Sequence, residues 1–349
     1  MMNGGLTLHA GAPVPNITGM RVPHANRLMQ GRLAASAPQL LGGLFSLCSQ
    51  AHRLASTLAL AAAGSCPRGM NDDERLRLEH ETMREHVRRI WLDWPRLLVG
   101  KAQPDPESVS RLQTCPLVAT QGGDVAAWVA EAVLDEDVHA WLSSWQQDAS
   151  GTLSAWSGKA RTLPARLLNQ VRAPAERLQV MSRPLHSPAS EAGLRAIACA
   201  LDSDEWFETM PQVDGAPCDS GCWTRVASTD AQQVNDAWLR LGARIAELAA
   251  LSVAPDGAAS LAAGALQLED GDGIGWCEMA RGMLLHRVKL KPDRVTVAEY
   301  RVVAPTEWNF HPRGLAAEMI TQAQDKREAF IAAAAFDPCV AFKVEMANA

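Results

Sequence analysis

Most of this chain carries apolar residues at helical spacing. Such periodicity runs through residues 25–63, 124–147, 189–201, 229–252 and 314–335, with an interruption near Gly42-Gly43. A further helix is predicted to start after Asn71, because asparagine is a good N-cap and Asp72, Asp73 and Glu74 would place acids in the first turn. The sequence therefore predicts a mainly α fold built from long helices.

Two segments are typical of β-structure instead. Residues 6–22 are short, β-leaning and interrupted by Gly and Pro, which favours a small hairpin or strand pair. Residues 276–303 hold two β-branched runs around Pro292-Asp293, a second hairpin signal. The predicted class is mainly α (α+β), a long-helix bundle with small antiparallel β-sheets.

The length of 349 residues supplies a large core, and we expect a single domain over 1–349 with a Pro-rich surface connection at 151–190. A net charge of −6 argues against nucleic acid or an anionic membrane as the main partner. The longest apolar stretch, Leu54–Ala63, is about half a membrane span. The eight cysteines have no framework spacing, which indicates reduced thiols in the cytoplasm.

Two cysteines stand in suggestive surroundings. Cys48 is followed four residues later by His52, so the two share a face if the segment is helical. Cys339 comes after Pro338, which favours an extended or turn approach that presents the thiol in a fixed direction. Either cysteine alone is more often a small buried hydrophobe than a ligand.

Five segments in a fixed order resemble the [NiFe]-hydrogenase large-subunit family. The last, F-D-P-C-V-A-F-K-V-E, is similar to that family's ending Asp-Pro-Cys-x-x-Cys-x-x-His, and C-S-Q-A-H-R-L-A-S is similar to Cys-x-x-Cys-x-x-x-His-x-Leu-Ala-Ser. The others are E-M-A-R-G-M-L-L-H, A-P-T-E-W-N and P-C-D-S-G-C-W-T-R, at residues 278–286, 304–309 and 217–225. Each motif alone is weak, whereas the ordered set is specific. The resemblance implies a shortened large-subunit-like fold.

In that family four cysteines hold nickel and iron. By the resemblance, two of these positions are Cys48 and Cys339, and the other two are Phe45 and Phe342. Nickel in such a site needs a soft thiolate cage, and phenylalanine offers no donor atom. The resemblance thus implies an assembly factor without nickel or hydrogenase activity, similar to maturation scaffolds of the HupK/HoxV type.

By the resemblance, two thiolates could still hold the iron fragment, Fe(CN)₂(CO). The resemblance makes Cys48 and Cys339 its metal ligands, and Arg281 and Thr306 the donors to its cyanides. Cys339 matches a terminal nickel position, so either it turns towards iron or Cys48 binds alone with a ligand from a partner. The implied partners are HypC-type small chaperones, a HypD-type assembly protein and the hydrogenase large subunit.

Some alternatives stay open at this stage. The chain could be a metal-free mimic of the large subunit that binds hydrogenase subunits or maturation proteins. His52 could orient the cysteine helix, which we favour, or bind metal. Cys218 and Cys222 lack the second pair that a structural zinc site usually shows. Cys277 has no family counterpart and is predicted to be a buried thiol.

Overall fold

A computed structural model describes residues 5–19, 22–101, 103, 106–118, 122–185, 190–226, 234–253 and 261–347. Helices occupy most of these residues: α1 (Ala25–Met29), α2 (Ala37–Leu44), α3 (Ser49–Ala63), α4 (Asp72–Arg88), α5 (Trp94–Val99), α6 (Pro106–Gln113), α7 (Val125–Trp128), α8 (Val138–Gln147), α9 (Ala149–Lys159), α10 (Leu163–Arg177), α11 (Glu191–Ser203), α12 (Cys222–Val226), α13 (Ala237–Val253), α14 (Pro305–Asn309), α15 (Leu315–Thr321) and α16 (Lys326–Phe336). The strands are β1 (Leu6–Ala10), β2 (Ile17–Thr18), β3 (Gln179–Met181), β4 (Val234–Asp236), β5 (Ala263–Glu269), β6 (Asp272–Met279), β7 (Gly282–Leu290), β8 (Val297–Val303) and β9 (Phe342–Met346). The predicted class, mainly α with small antiparallel sheets, is confirmed.

The strands of the described residues form three small sheets. Their orders are β2-β1-β9, β3-β4 and β5-β6-β7-β8. The hairpins β1–β2 and β7–β8 confirm the two sequence predictions. The parallel pairing of β1 with β9, from Leu6 opposite Phe342 to Ala10 opposite Met346, was not predicted. It ties the beginning of the described chain to the segment that follows Cys339.

Helix α3, which follows Cys48, lies unusually close to strand β6. A Cβ atom added to Gly275 would stand 2.3 Å from the carbonyl oxygen of Ala55 and from the nitrogen of Ala59. A Cβ on Gly273 would meet the nitrogen of Ala63 at 2.3 Å. Glycine is therefore required on the strand, and alanine at a four-residue spacing on α3 offers the matching small face. This contact fixes the cysteine helix against the sheet.

The opposite face of the same sheet has its own apolar cover. Ile274 and Trp276 alternate with the two glycines along β6 and pack in a cluster with Leu194, Ile197 and Leu201 of α11. Side chains alternate between the two faces of a strand, so β6 serves α3 on one side and α11 on the other. The sheet is thereby held between helices, and its β6–β7 turn is presented at one end.

Three helix boundaries differ from the sequence predictions. Gly42 and Gly43 lie inside α2, and the interruption comes at Phe45, where φ is −106° and ψ is 65°. The segment predicted over 124–147 is divided at Asp135, which has a positive φ of 58°. The helix predicted over 314–335 is divided before Asp325, whose carboxylate caps α16.

The predicted surface connection at 151–190 is wrong for most of its length. It holds most of α9, all of α10 and β3, and both helices bury apolar side chains such as Leu153, Trp156 and Leu168. Pro164 stands in the first turn of α10, where the missing N–H has no intrahelical partner to lose. Residues 186–189 lie outside the described ranges. In the part of the chain that the structure describes, every helix is too short or too polar to cross a lipid bilayer.

Candidate functional site

Cys48 is the last residue of a 3₁₀ turn, Ser46–Cys48, and the N-cap of α3, and only 8% of the residue is exposed. The first amides of the helix donate to a side chain of another helix. Glu81 of α4 accepts from the N–H groups of Gln50, at 2.8 Å, and Ala51, at 3.0 Å. Burial raises the pKa of the Glu81 carboxyl, although these hydrogen bonds act in the opposite direction. Glu81 thus anchors the cysteine turn.

The Cys339 thiol lies where α16 gives way to β9. Asp337 leaves the helix with a positive φ of 54°, and the Thr306 hydroxyl then holds the next turn. The hydroxyl accepts from the Cys339 N–H, with a nitrogen–oxygen distance of 3.0 Å, and donates to Sγ at 2.9 Å. Arg89 donates to the Pro338 carbonyl at 2.8 Å and pairs with Asp337 at 2.8 Å. Both sides of the turn are therefore fixed.

Arg281 projects from the turn between β6 and β7 and is 2% exposed. Its Nη2 pairs with Glu85, and its Nε lies 3.6 Å from an oxygen of Asp337. Nη1 has no hydrogen-bond partner among the described residues. Burial acts to lower the pKa of Arg281. The opposite and larger combined effect comes from nearby acidic groups, namely Asp337, Glu85, Cys339 and Cys48 in that order, so the pKa is raised overall. The guanidinium is permanently charged and keeps an unused donor.

These elements enclose one cavity of about 250 Å³. Cys48, Cys339 and Arg281 all line it, together with His52 and Phe45. By the same measure one water needs about 10–15 Å³, so the cavity has room for a group of several heavy atoms. The structure thus brings three of the four residues predicted from the sequence to one wall. Thr306 reaches the cavity only through Cys339.

The two phenylalanines at the family's cysteine positions behave differently. Phe45 lines the cavity and stacks on His52, with ring centroids 4.0 Å apart and planes at 17°. Phe342 is half-buried on β9, packs against Phe330 and is not part of the cavity wall. Of the two rings, only Phe45 stands in the cavity wall, because β9 pairs with β1 and holds Phe342 in that sheet.

His52 begins a chain of buried hydrogen bonds. Its Nδ1 lies 2.9 Å from Nε2 of His286, whose Nδ1 lies 2.9 Å from the Tyr300 hydroxyl. Tyr300 donates to Ser56 at 2.8 Å. With that direction, neutral His286 donates through Nδ1 and accepts from His52 through Nε2. The chain holds the His52 ring in one orientation, in keeping with the role favoured from the sequence.

Cys222 belongs to a separate ionic network. Its thiol donates to Glu247 at 3.2 Å, and His86 Nε2 lies 2.7 Å from the same carboxylate. These are the three residues whose geometry would suit a metal ion. However, Arg225 occupies both Glu247 oxygens, and Arg244 donates to His86 Nδ1 at 3.0 Å. With two guanidinium groups against it, the cluster is built for ion pairing rather than for a cation.

Cys222, Cys218 and Cys277 all lack the character of metal ligands. Burial, with the Glu247 charge second, raises the pKa of Cys222 to about 12. Burial, with the Asp219 charge second, raises the pKa of Cys218 to about 11. Both thiols therefore stay protonated at neutral pH. Cys277 is fully buried and donates to the Ala51 carbonyl at 3.5 Å, which confirms the prediction of a buried thiol.

Sequence reasoning missed the acids and the arginine that support the site. Glu81, Glu85 and Arg89 recur every four residues along α4 and its π-helical continuation at Arg89–Asp93, facing the interior. Asp337 belongs to the D-P-C motif, in which the sequence predicts a role for Pro338 and Cys339 but not for the aspartate. A signal existed, because charged residues at helical spacing on an otherwise apolar face indicate buried ion pairs.

The fold and site together define a protein with the architecture of a [NiFe]-hydrogenase large subunit. Similar solved structures include an NAD⁺-reducing [NiFe]-hydrogenase, with a TM-score of 0.53, 15% identity and 93% of this chain and 91% of that chain covered. A Ni-Fe-Se hydrogenase of D. vulgaris Hildenborough gives a TM-score of 0.52 at 14% identity, covering 93% of this chain and 92% of that one. At such identities the likeness shows the fold alone. The sequence model of the family described as "Nickel-dependent hydrogenase" matches residues 227–344.

Curated relatives narrow the class. The hydrogenase expression/formation protein HoxV of Cupriavidus necator is 39% identical, with 99% of this chain and 96% of that protein covered. The hydrogenase expression/formation protein HupK of Azotobacter vinelandii is 31% identical, with 94% and 92% covered. HupK of Rhizobium leguminosarum bv. viciae is 29% identical, with 93% and 90% covered. The chain belongs to the HoxV/HupK family of hydrogenase expression/formation proteins.

Proposed function

We propose that this protein is a non-catalytic hydrogenase maturation factor that holds Fe(CN)₂(CO) as cargo, without nickel, and passes it to the hydrogenase large subunit. The names of its relatives as expression/formation proteins support the maturation role. One observation carries the cargo assignment. Two thiols from distant parts of the chain, Cys48 and Cys339, line a single cavity beside a buried Arg281 that has an unused donor.

The charges suit an anionic group. Ferrous iron, two cyanides and two thiolates sum to −2, since carbon monoxide is neutral. The ion-paired network behind Arg281 contains four arginines and three carboxylates, so its formal charge is 4 − 3 = +1; its members are Arg88, Arg89, Arg244, Arg281, Glu85, Asp93 and Asp337. A buried anion needs such a positive surplus and donors that point at it.

Each side chain has a distinct part in this proposal. Cys48 and Cys339 supply the thiolates, and Arg281 donates from Nη1 to a cyanide nitrogen. Thr306 acts through Cys339, because its hydroxyl bond to Sγ sets the direction in which the sulfur lone pairs face. With Phe45 on the wall and stacked on His52, the place of a third thiolate is filled by a ring, which limits how firmly the cargo is held.

The proposed partners follow from the need to receive and release this cargo. They are HypC-type small chaperones, a HypD-type assembly protein and the hydrogenase large subunit, and the proposed compartment is the cytoplasm. A protein that holds this cargo without turning it over must receive it from one protein and release it to another.

Infrared spectroscopy tests the proposal directly. Protein co-produced with complete hydrogenase maturation machinery is expected to show cyanide and carbon monoxide stretches, and elemental analysis is expected to give iron without nickel. Cys48→Ala and Cys339→Ala should each remove the bands. Cys66→Ala is the matched control, since that thiol is exposed and away from the cavity wall.

The other outcomes are equally informative. If the unmodified protein lacks the bands under these conditions, the cargo proposal is overturned in favour of a metal-free mimic of the large subunit. If Cys48→Ala removes the bands and Cys339→Ala does not, Cys48 is the sole protein ligand and the second thiolate comes from a partner.

A further inference from the structure

The first 71 residues differ in charge from the rest of the chain. They contain five arginines and neither lysine, aspartate nor glutamate, although the whole chain has 39 acidic and 33 basic residues. The formal charge of residues 1–71 is therefore +5, and that of residues 72–349 is −6 − 5 = −11. Arg68 of this segment pairs with Glu74, whereas Arg27, Arg32 and Arg53 form no ion pair with any described residue, so part of this positive charge is unpaired.

This acid-free segment builds more than half of the cavity wall. Ten of the eighteen residues that line the cavity come from it, as the runs 22–25 and 44–48 with His52. The rest of the wall comes from distant parts of the chain, Arg281 and Cys339 among them. The segment thus gives the cavity a wall without carboxylates, and the one acid among the lining residues, Glu208, comes from elsewhere in the chain and is buried.

The mouth of the cavity is apolar as well. Val22 is 55% exposed and Leu47 is 48% exposed, and both belong to the wall, as does the half-buried Val340. We call these three residues the lip. Leu47 immediately precedes Cys48, so apolar surface is displayed next to a proposed ligand. A rim of exposed aliphatic side chains around a deep cavity is typical of a protein-binding site.

Two arginines on the helices that build this wall have no acidic partner among the described residues. Arg27 is exposed on α1, two residues after Ala25 of the cavity wall, and forms no ion pair with any described residue. Arg53 lies against Gly42 of α2, the helix that leads to the lip, and its Nε has no hydrogen-bond partner among the described residues. Most other buried or half-buried arginines of the molecule pair with carboxylates, so the positive charge here is left for something else.

We propose that the lip is the docking face for a partner protein that presents an apolar contact surrounded by carboxylates. This inference rests on the proposed function, because the partner would bring or collect the iron fragment through the same opening. The partner's negative charge would complement the arginines of the acid-free segment, and its apolar centre would complement Val22 and Leu47. An anionic membrane could also attract these arginines, but the formal charge of −11 on residues 72–349 would repel it.

Site-specific photocrosslinking tests the docking face. Benzoylphenylalanine is placed at Leu47 and, as a control, at Leu76, which is similarly exposed at 53% but lies on α4. In cells that make hydrogenase and its maturation proteins, position 47 is expected to capture one protein through an apolar peptide flanked by Asp or Glu. Adding Arg27→Glu should lower the yield about tenfold, and Arg27→Lys should preserve it, as expected for steering by a rim charge.

Three results would overturn the docking face: identical crosslinks at 47 and 76, a captured peptide rich in Lys or Arg, or binding of the purified protein to phosphatidylglycerol vesicles through Arg27. If infrared bands are present and position 47 captures nothing, the docking proposal fails and the cargo proposal stands. If position 47 captures an acidic partner and the bands are absent, the reverse holds.

Discussion

The hydroxyl of Thr306 lies 2.9 Å from Sγ of Cys339 and 3.0 Å from the backbone nitrogen of the same residue. One side-chain atom therefore fixes both the turn and the direction of the thiol. Thr306 itself is 4% exposed, so water cannot replace it without rearrangement.

Thr306→Val is expected to lower the free energy of unfolding by about 1–3 kcal/mol, because it leaves the Cys339 N–H without an acceptor. It should also speed the alkylation of Cys339, measured peptide by peptide with N-ethylmaleimide and mass spectrometry. Thr306→Ser retains the hydroxyl and serves as control. Equal alkylation rates in the valine and serine variants would show that the bond to Sγ does not orient the thiol.

Gly275→Ala should be strongly destabilising. The added Cβ would lie 2.3 Å from backbone atoms of Ala55 and Ala59, so α3 must move away from β6, at a cost of about 3 kcal/mol or more. Gly43→Ala is the matched control, since a methyl group added there, inside α2, would have no other atom within 4 Å. That change should stabilise by about 0.4–1 kcal/mol. Urea denaturation of both variants measures the difference, and a stable Gly275→Ala protein would refute the close contact.

The His311 side chain makes stability depend on pH. Burial, followed by Arg313 and Arg183, lowers the pKa of His311 to about 4, and its Nδ1 accepts from the Arg313 N–H at 3.1 Å. Because the folded pKa lies below the unfolded value of 6.5, His311 contributes stability above pH 6.5 that is lost as the pH falls towards 4. His311→Gln keeps a neutral acceptor and removes the titration.

The expected result is a difference between two proteins, which cancels the other titrating groups. The stability of the unmodified protein relative to His311→Gln should fall by about 2 kcal/mol between about pH 7.5 and about pH 5, at 1.36 kcal/mol per pH unit below 6.5. Unfolding in urea at the two pH values gives the numbers. A constant difference would mean that His311 titrates normally in the folded state.

Tyr300 offers a clean optical test, because it is the only tyrosine of the chain. Burial raises the pKa of its hydroxyl well above the usual 10, despite the hydrogen bond to Ser56. Absorbance at about 295 nm should stay flat in the folded protein through about pH 11 and rise only with alkaline unfolding, whereas in urea its midpoint should lie near 10. Tyr300→Phe supplies the baseline. A midpoint near 10 without urea would show that the His52–His286–Tyr300 chain is open to solvent.

The sequence predicted the helical class and both hairpins, because periodicity, capping and turn residues are local signals. The structure brings Cys48, Cys339 and Arg281 to one cavity, and their roles towards a cargo stay a prediction. The parallel pairing of β1 with β9 escaped, since partners more than 330 residues apart leave no local pattern. The support from Glu81, Glu85 and Arg89 escaped because burial of a charge depends on which helix packs against it. The connection at 151–190 was misjudged because proline was taken as an interruption where it begins a helix.

The separation of Cys48 and Cys339 along the chain also determines when the proposed site can form during translation. A growing polypeptide displays Cys48 early, while Cys339 and its turn are translated 339 − 48 = 291 residues later. Until then Arg281 has no Asp337, Thr306 has no thiol to hold, and β1 has no parallel neighbour. The ribosome must translate the residues between Cys48 and Cys339 before the two thiols can converge, so an iron fragment that requires both cannot load onto a nascent chain that stops short of Cys339.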